Sequence, residues 1–331
     1  MSNSTASNST SVVPNPVFQN AYYIGNNING ILYGVELVLY FISIRQLVES
    51  YKATKKRVDI FYMWFSTGLL LLVTIFVAVQ AVFGEEMWIV NAGFPGGDAA
   101  YLKMYASVWY QTMGTASTVI LNLLTDGLMI WRCFVIWNDA RIVAFPCLLY
   151  LATLAIGTTQ LYYSGLPSGN FFAGLAADLG LAYYTCSIGL NVLVTCFICG
   201  RILAFARRTK KTLGREAMRT YTSTVSIIIE SALPYSLSGI AFLITYGLNS
   251  DVSILFLSFY ILFTCLSSQL IILRVTLGRA WTRERASQSV STLSFTFRPT
   301  LSVYTGNTDA TAINLRTMAK SNGSAVEVGK V

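Results

Sequence analysis

Residues 60–83 read IFYMWFSTGLLLLVTIFVAVQAVF. No charged side chain interrupts these 24 positions. As a helix the run is about 36 Å long, enough to cross a hydrocarbon core of ~30 Å. A water-exposed helix of that length carries a polar face; this one has none, so lipid is the solvent it suits. Six further apolar stretches of comparable length follow the same pattern: Ile24–Val48, Ala106–Trp137, Ile142–Tyr163, Ala177–Phe205, Thr222–Gly247 and Val252–Val275. The sequence therefore predicts an all-α membrane protein, a seven-transmembrane helix bundle over residues 23–280. A disordered tail precedes it at 1–22, and a disordered Ser/Thr-rich tail follows at 281–331. The third run is overlong and is expected to tilt or project.

Composition agrees. Mean hydropathy is +0.56 and only 11% of the 331 residues are charged. Soluble domains carry about 25%, so this chain lacks the charge to cover a water-facing surface. The net charge of +8 sits in short clusters between the apolar runs, which speaks for membrane loops and against nucleic acid.

Orientation follows from the positive-inside rule. The connections after the first, third and fifth runs, the C-terminal segment and the adjoining span ends hold every Lys and Arg except Lys103. With seven spans this puts the N-terminus outside and the C-terminus in the cytoplasm of a multi-pass membrane protein, with the plasma membrane favoured. The sequons at Asn3 and Asn8 are glycosylation candidates on the same outer side. Residues 1–20 carry no basic residue and no apolar core, so the first span is expected to be an uncleaved anchor.

Absent residues exclude chemistry. There is no histidine, which removes histidine-ligated haem, HExxH-type zinc sites and Ser-His-Asp triads. The six cysteines fall within apolar runs or at their ends, where no disulfide is expected. No cofactor or metal is implied, and no nucleophile constellation points to an enzyme.

Polar groups inside the spans carry the functional signal. Glu36, Asp126 and Glu230 are carboxylates within apolar runs. Counted along the helix, Asp126 lies ~16 Å from Trp137 and Glu230 ~14 Å from Tyr221, near the midplane like Glu36. With Asn122, Asn191 and Gln269 they form a candidate buried polar site. A structural alternative is that the acids are hydrogen-bonded across helices. Pro234 removes the helical partner of the residue 230 carbonyl and so predicts a hinge in the sixth span. Arg132, Arg201, Arg207, Arg208, Lys210 and Lys211 form the candidate cytoplasmic coupling surface. Gly30 and Gly34 are spaced for close helix packing, with packing inside the bundle expected before a dimer.

The strings Asp126-Gly127-Leu128-Met129-Ile130-Trp131-Arg132-Cys133 and Gln269-Leu270-Ile271-Ile272-Leu273-Arg274, with Asn191-Val192-Leu193 and Glu230-Ser231-Ala232, carry a resemblance. Over roughly residues 25–280 the chain resembles a large group of uncharacterised seven-span integral membrane proteins of mushroom-forming fungi, the basidiomycetes. That resemblance implies fold and membrane location and no reaction. Seven spans, a basic fifth loop and a Ser/Thr tail also resemble a G-protein-coupled receptor. Rhodopsin-like motifs are missing: Trp131-Arg132-Cys133 stands where Asp-Arg-Tyr is expected, and the seventh span has no Asn-Pro-x-x-Tyr. No lysine in the seventh span could hold retinal.

These features lead to three expectations. The first is a receptor-like sensor that takes a ligand beneath the second loop, Phe83–Tyr105, and couples it to a heterotrimeric G protein or another cytoplasmic partner. The second is a proton- or cation-coupled carrier or channel built on the buried acids. The third is a structural membrane protein without ligand.

Overall fold

The computed structural model describes residues 16–166 and 174–296. The sequons at Asn3 and Asn8 and most of both expected tails lie outside the described residues. Two compact units divide the chain at Trp281/Thr282, and the first of them is the helix bundle.

Among the described residues the structure is helical, with no strand. The helices are α1 Pro16–Thr54, α2 Arg57–Glu85, α3 Gly97–Tyr105, α4 Trp109–Trp137, α5 Ala140–Ser164, α6 Gly174–Gly247 and α7 Ser253–Thr296. A π-helical turn, Glu86–Val90, extends α2. Seven segments are long and apolar enough to cross a membrane, two of them within α6: Gly174–Arg208 and Ile228–Gly247. Each of the seven apolar runs of the sequence thus falls on one of these segments. The third starts at Trp109, because Ala106–Val108 form the turn from α3; at 29 residues it remains longer than a span needs.

Short polar signals stop the helices. Asn138 takes the left-handed conformation (φ 51°) and ends α4, its N–H donating to the Phe134 carbonyl at 2.8 Å. Asp139 then caps α5 by accepting from the Arg141 N–H at 3.0 Å. Gly96 opens α3 at φ 93°, where a Cβ would stand 2.7 Å from Ala100 Cβ. No other residue fits that turn without displacement.

α6 must reverse on itself. Tyr184 and Phe242 would be about 87 Å apart on a straight helix, yet their rings meet at 4.9 Å. The turn lies between the two spans, and its arms pack antiparallel. Gly239 faces Ile188 and Gly180 faces Tyr246, each close enough that a Cβ would clash.

The interior is built from rings. Tyr183, Tyr184, Tyr235, Tyr260 and Phe242 are fully buried and touch one another, packed with Leu69, Val73 and Leu121. Half of the α7 span is buried, the largest share among the seven. Gly30 and Gly34 do not pack within the bundle: both face outward with nothing within 4 Å. Gly25 is the close-approach position instead, where a Cβ would lie 3.1 Å from Ser258 Oγ.

Candidate functional site

Every seventh residue of α1 from Tyr22 to Ser50 is polar and buried: Tyr22, Asn29, Glu36, Ser43 and Ser50, all at or below 8% exposure. Seven residues are close to two helical turns, so the five form one stripe about 42 Å long. Four of the five meet a neighbour. Tyr22 donates to Gln80 Oε1 (3.0 Å), Asn29 to Ser258 Oγ (3.2 Å) and Ser50 to Asp59 (3.0 Å). Glu36 accepts from the Cys265 thiol at 3.2 Å, and its second oxygen, Oε2, has no hydrogen-bond partner. Gln269 lies one turn along α7 from Cys265. It accepts from Ser66 Oγ at 2.7 Å and returns a bond to the Ser66 carbonyl at 3.3 Å.

The second acid sits elsewhere. Asp126 on α4 accepts from Ser187 Oγ on α6 at 2.8 Å. Asn122, one turn away, is 1% exposed, with neither end of its amide bonded. Asn191 lines a void of about 10 Å³ with Thr125, Thr264, Ser267 and Ser268, room for about one water. The predicted polar site is therefore two sites. Glu36 and Gln269 lie among α1, α2 and α7, while Asn122, Asp126 and Asn191 lie between α4 and α6. α7 is the wall between them, with Cys265 and Gln269 on one side and Thr264 and Ser268 on the other.

Glu230 belongs to neither. Its side chain is exposed, on the outward face of α6 with Leu233 and Leu237, while Ser231, Tyr235 and Ser238 face in. Its depth differs too. Continuing the antiparallel register of the α6 arms brings Glu230 level with Cys196 and Phe197. The Phe197 carbonyl accepts from Trp137 Nε1 at 3.1 Å, and Trp137 is the last residue of α4. Glu230 therefore stands near the end of the bundle that carries Arg207 and Arg208, the basic end. Counting from Tyr221 overstated its depth because the apolar span of this arm begins at Ile228, two residues before Glu230.

Pro234 lies within α6 on its exposed side and does not interrupt the helix; Ser238 donates to its carbonyl at 2.7 Å. At the basic end Arg201 stacks 5.0 Å above the Trp137 ring. Arg132 is half-buried, and Arg207 and Arg208 are exposed. The side chains of Lys210 and Lys211 lie outside the described residues.

The opposite end is the second loop, Phe83–Tyr105, beneath which a ligand was expected; its helices and latches were not foreseen. Here α3 and the π-helical turn cap the bundle, latched by two carboxylates. Asp98 accepts from Gln19 Nε2 (2.8 Å) and Trp88 Nε1 (3.1 Å). Glu86 accepts from Tyr110 and, at 3.4 Å, from Tyr101. Burial first, then the Glu86 charge, hold the Tyr101 hydroxyl above its ordinary value of 10, so it remains a donor. Under the cap lies a cavity of about 70 Å³. Its walls come from Tyr22, Gln80, Leu102, Gln111, Thr115 and Leu257, among others, and so from α1, α2, α3, α4 and α7. Among the described residues no three Cys, Asp or Glu side chains gather as a metal site.

Fold and interior together define a class, an integral membrane protein of seven apolar helices with polar groups held between them. A scan against protein-family models finds no match, and neither does a search of curated proteins.

Proposed function

We propose that the protein is a receptor-like seven-helix sensor. It takes a ligand at the capped end, which the basic residues assign to the outside, and acts on a cytoplasmic partner at the basic end. The observation that carries this reading is the cavity roofed by α3, with α7 as one of its walls. Leu257 of that wall lies one turn from Tyr260, whose hydroxyl is 3.3 Å from that of Tyr235, the residue after Pro234. A ligand that shifts α7 would thus bear on α6 where its backbone lacks one hydrogen bond. The exposed Arg207 and Arg208 support a docking role for the basic end, with a heterotrimeric G protein the candidate partner and the plasma membrane the site. The reading is of a non-enzyme. The strings at 126–133 and 269–274 support grouping the chain with the seven-span proteins of mushroom-forming fungi.

The test is co-purification with G-protein α subunits from the protein's own cell membranes after nucleotide depletion. A complex that dissolves on adding a non-hydrolysable GTP analogue is expected. Absence of any such complex, with and without extracts of the natural medium, overturns G-protein coupling.

Glu36 and Asp126, on either side of α7, favour the carrier as second reading. Its test falls on Glu36 and not on Glu230, since Glu230 points away from both sites. Proton or cation flux into liposomes that Glu36→Gln abolishes would establish it.

A further inference from the structure

The cavity beneath the cap has a definite chemistry. No charged side chain lines it among the described residues. The two carboxylates of the cap, Glu86 and Asp98, are engaged by Tyr110, Tyr101, Gln19 and Trp88 and form the latch of the roof. A cation entering the cavity would meet no unengaged acid, and an anion would meet no base.

Two amides remain available. Gln80 spends its carbonyl oxygen on the Tyr22 hydroxyl, which leaves its N–H donors. The Gln111 side chain has no hydrogen-bond partner among the described residues, and Gln111 is used only through its backbone carbonyl, by Thr115 at 3.1 Å. By contrast Ser258 is filled, accepting from Asn29 and donating to the Ile254 carbonyl. Phe76, Leu102, Ile254 and Leu257 supply the apolar part of the wall, and Tyr22 and Thr115 add hydroxyls to its polar part. A pocket that sets convergent polar groups beside apolar side chains suits a ligand that has both characters.

Size narrows the class. An apolar cavity of about 150 Å³ holds benzene; one of about 70 Å³ takes about half as many atoms, with room at the mouth for one or two more. We propose that this cavity binds a small neutral amphiphile, an alcohol, ketone or amide of about three to five heavy atoms. Its polar end meets Gln80 and Gln111 and its carbon end meets Leu102 and Leu257. The proposal rests on the sensor reading only in taking the cavity as a ligand site.

The test uses the full chain in lipid nanodiscs, with thermal unfolding followed by tryptophan emission. The probes are 1-propanol and acetone against propionate and propylammonium, each titrated on wild type and on Ala106→Leu, which fills the cavity. The neutral probes are expected to raise the wild-type midpoint saturably by about 2 °C, and Ala106→Leu to remove that rise. The charged probes are expected to do nothing. Gln111→Leu, which keeps the volume and removes the amide, is expected to weaken the neutral probes about tenfold and stands in if Ala106→Leu fails to fold. No saturable difference between wild type and the variants, or equal shifts from the charged probes, overturns the proposal. Saturable binding without a GTP-sensitive complex would leave this site standing and remove the receptor reading. A GTP-sensitive complex without binding would do the reverse.

Discussion

α1, α2 and α7 are joined by side-chain hydrogen bonds from one end of the bundle to the other, whereas α5 makes none to a neighbour among the described residues. Between α1 and α2 alone the pairs run Tyr22–Gln80, Tyr33–Thr74, Tyr40–Thr67 and Ser50–Asp59. α5 is held by shape. Gly157 lets the Tyr183 ring approach until a Cβ there would lie 2.7 Å away, and Gly180 lets the Gln160 amide and the Tyr246 hydroxyl approach as closely. Gln160, Ser164 and Tyr183 keep polar atoms unbonded on that side. Helices in lipid gain little from apolar contact alone, so they associate through close packing or through polar bonds. This bundle uses polar bonds in one sector and close packing in the other. A bond fixes register and loses a little when broken. A nested ring loses little until something is inserted beside it, and then a great deal.

That contrast is testable, and the largest effect belongs to the nested side. Gly157→Val drives a branched side chain into the Tyr183 ring, which is fully buried and cannot withdraw. A loss of about 3 kcal/mol or more is expected in reversible unfolding in bicelles. Gly30→Ala, facing open space, should stay within about 0.5 kcal/mol of wild type. Equal losses for the two would show that α5 does not depend on fit.

On the bonded side the effects are smaller. Gln269→Leu strands the Ser66 hydroxyl and is expected to cost about 1.5 kcal/mol. A double-mutant cycle with Ser66→Ala should show the two losses to be less than additive; strict additivity would dissolve the pair. Tyr40→Phe should cost only about 0.6 kcal/mol, because Thr67 keeps its bond to the Met63 carbonyl at 2.9 Å. Smallest of all, Glu230→Gln is expected to leave unfolding unchanged within about 0.5 kcal/mol, as an exposed side chain should. A loss above about 1 kcal/mol would mean that Glu230 turns inward.

The spans were legible because hydropathy needs no knowledge of neighbours. Glu36, Asn122, Asp126 and Gln269 were legible as buried because lipid forbids them elsewhere. The same logic misplaced Glu230: depth was counted from Tyr221, and nothing in the count gave the rotation of the helix, which turns this side chain outward. One further signal was present and unread, the spacing of seven from Tyr22 to Ser50, which marks the inward face of α1 without any structure. A ligand place beneath the second loop was expected, but its lining could not be read, since Tyr22, Gln80, Gln111 and Ser258 converge from four helices and none is unusual in its own stretch. The division by α7 was equally hidden, because Thr264 and Cys265 are chain neighbours that face different partners.

The stripe on α1 behaves like a reading frame. Each rung is found by counting seven from the last, so inserting a single residue after Asn29 would turn Glu36, Ser43 and Ser50 by about 100°, off the buried face and into the half-buried places of Leu37, Ile44 and Tyr51. An insertion of seven would lengthen the helix and restore every rung to its face. α1 should therefore tolerate substitution along its lipid-facing side while rejecting small insertions and deletions almost anywhere between Tyr22 and Ser50, a pattern that deep mutational scanning of this one helix would display directly.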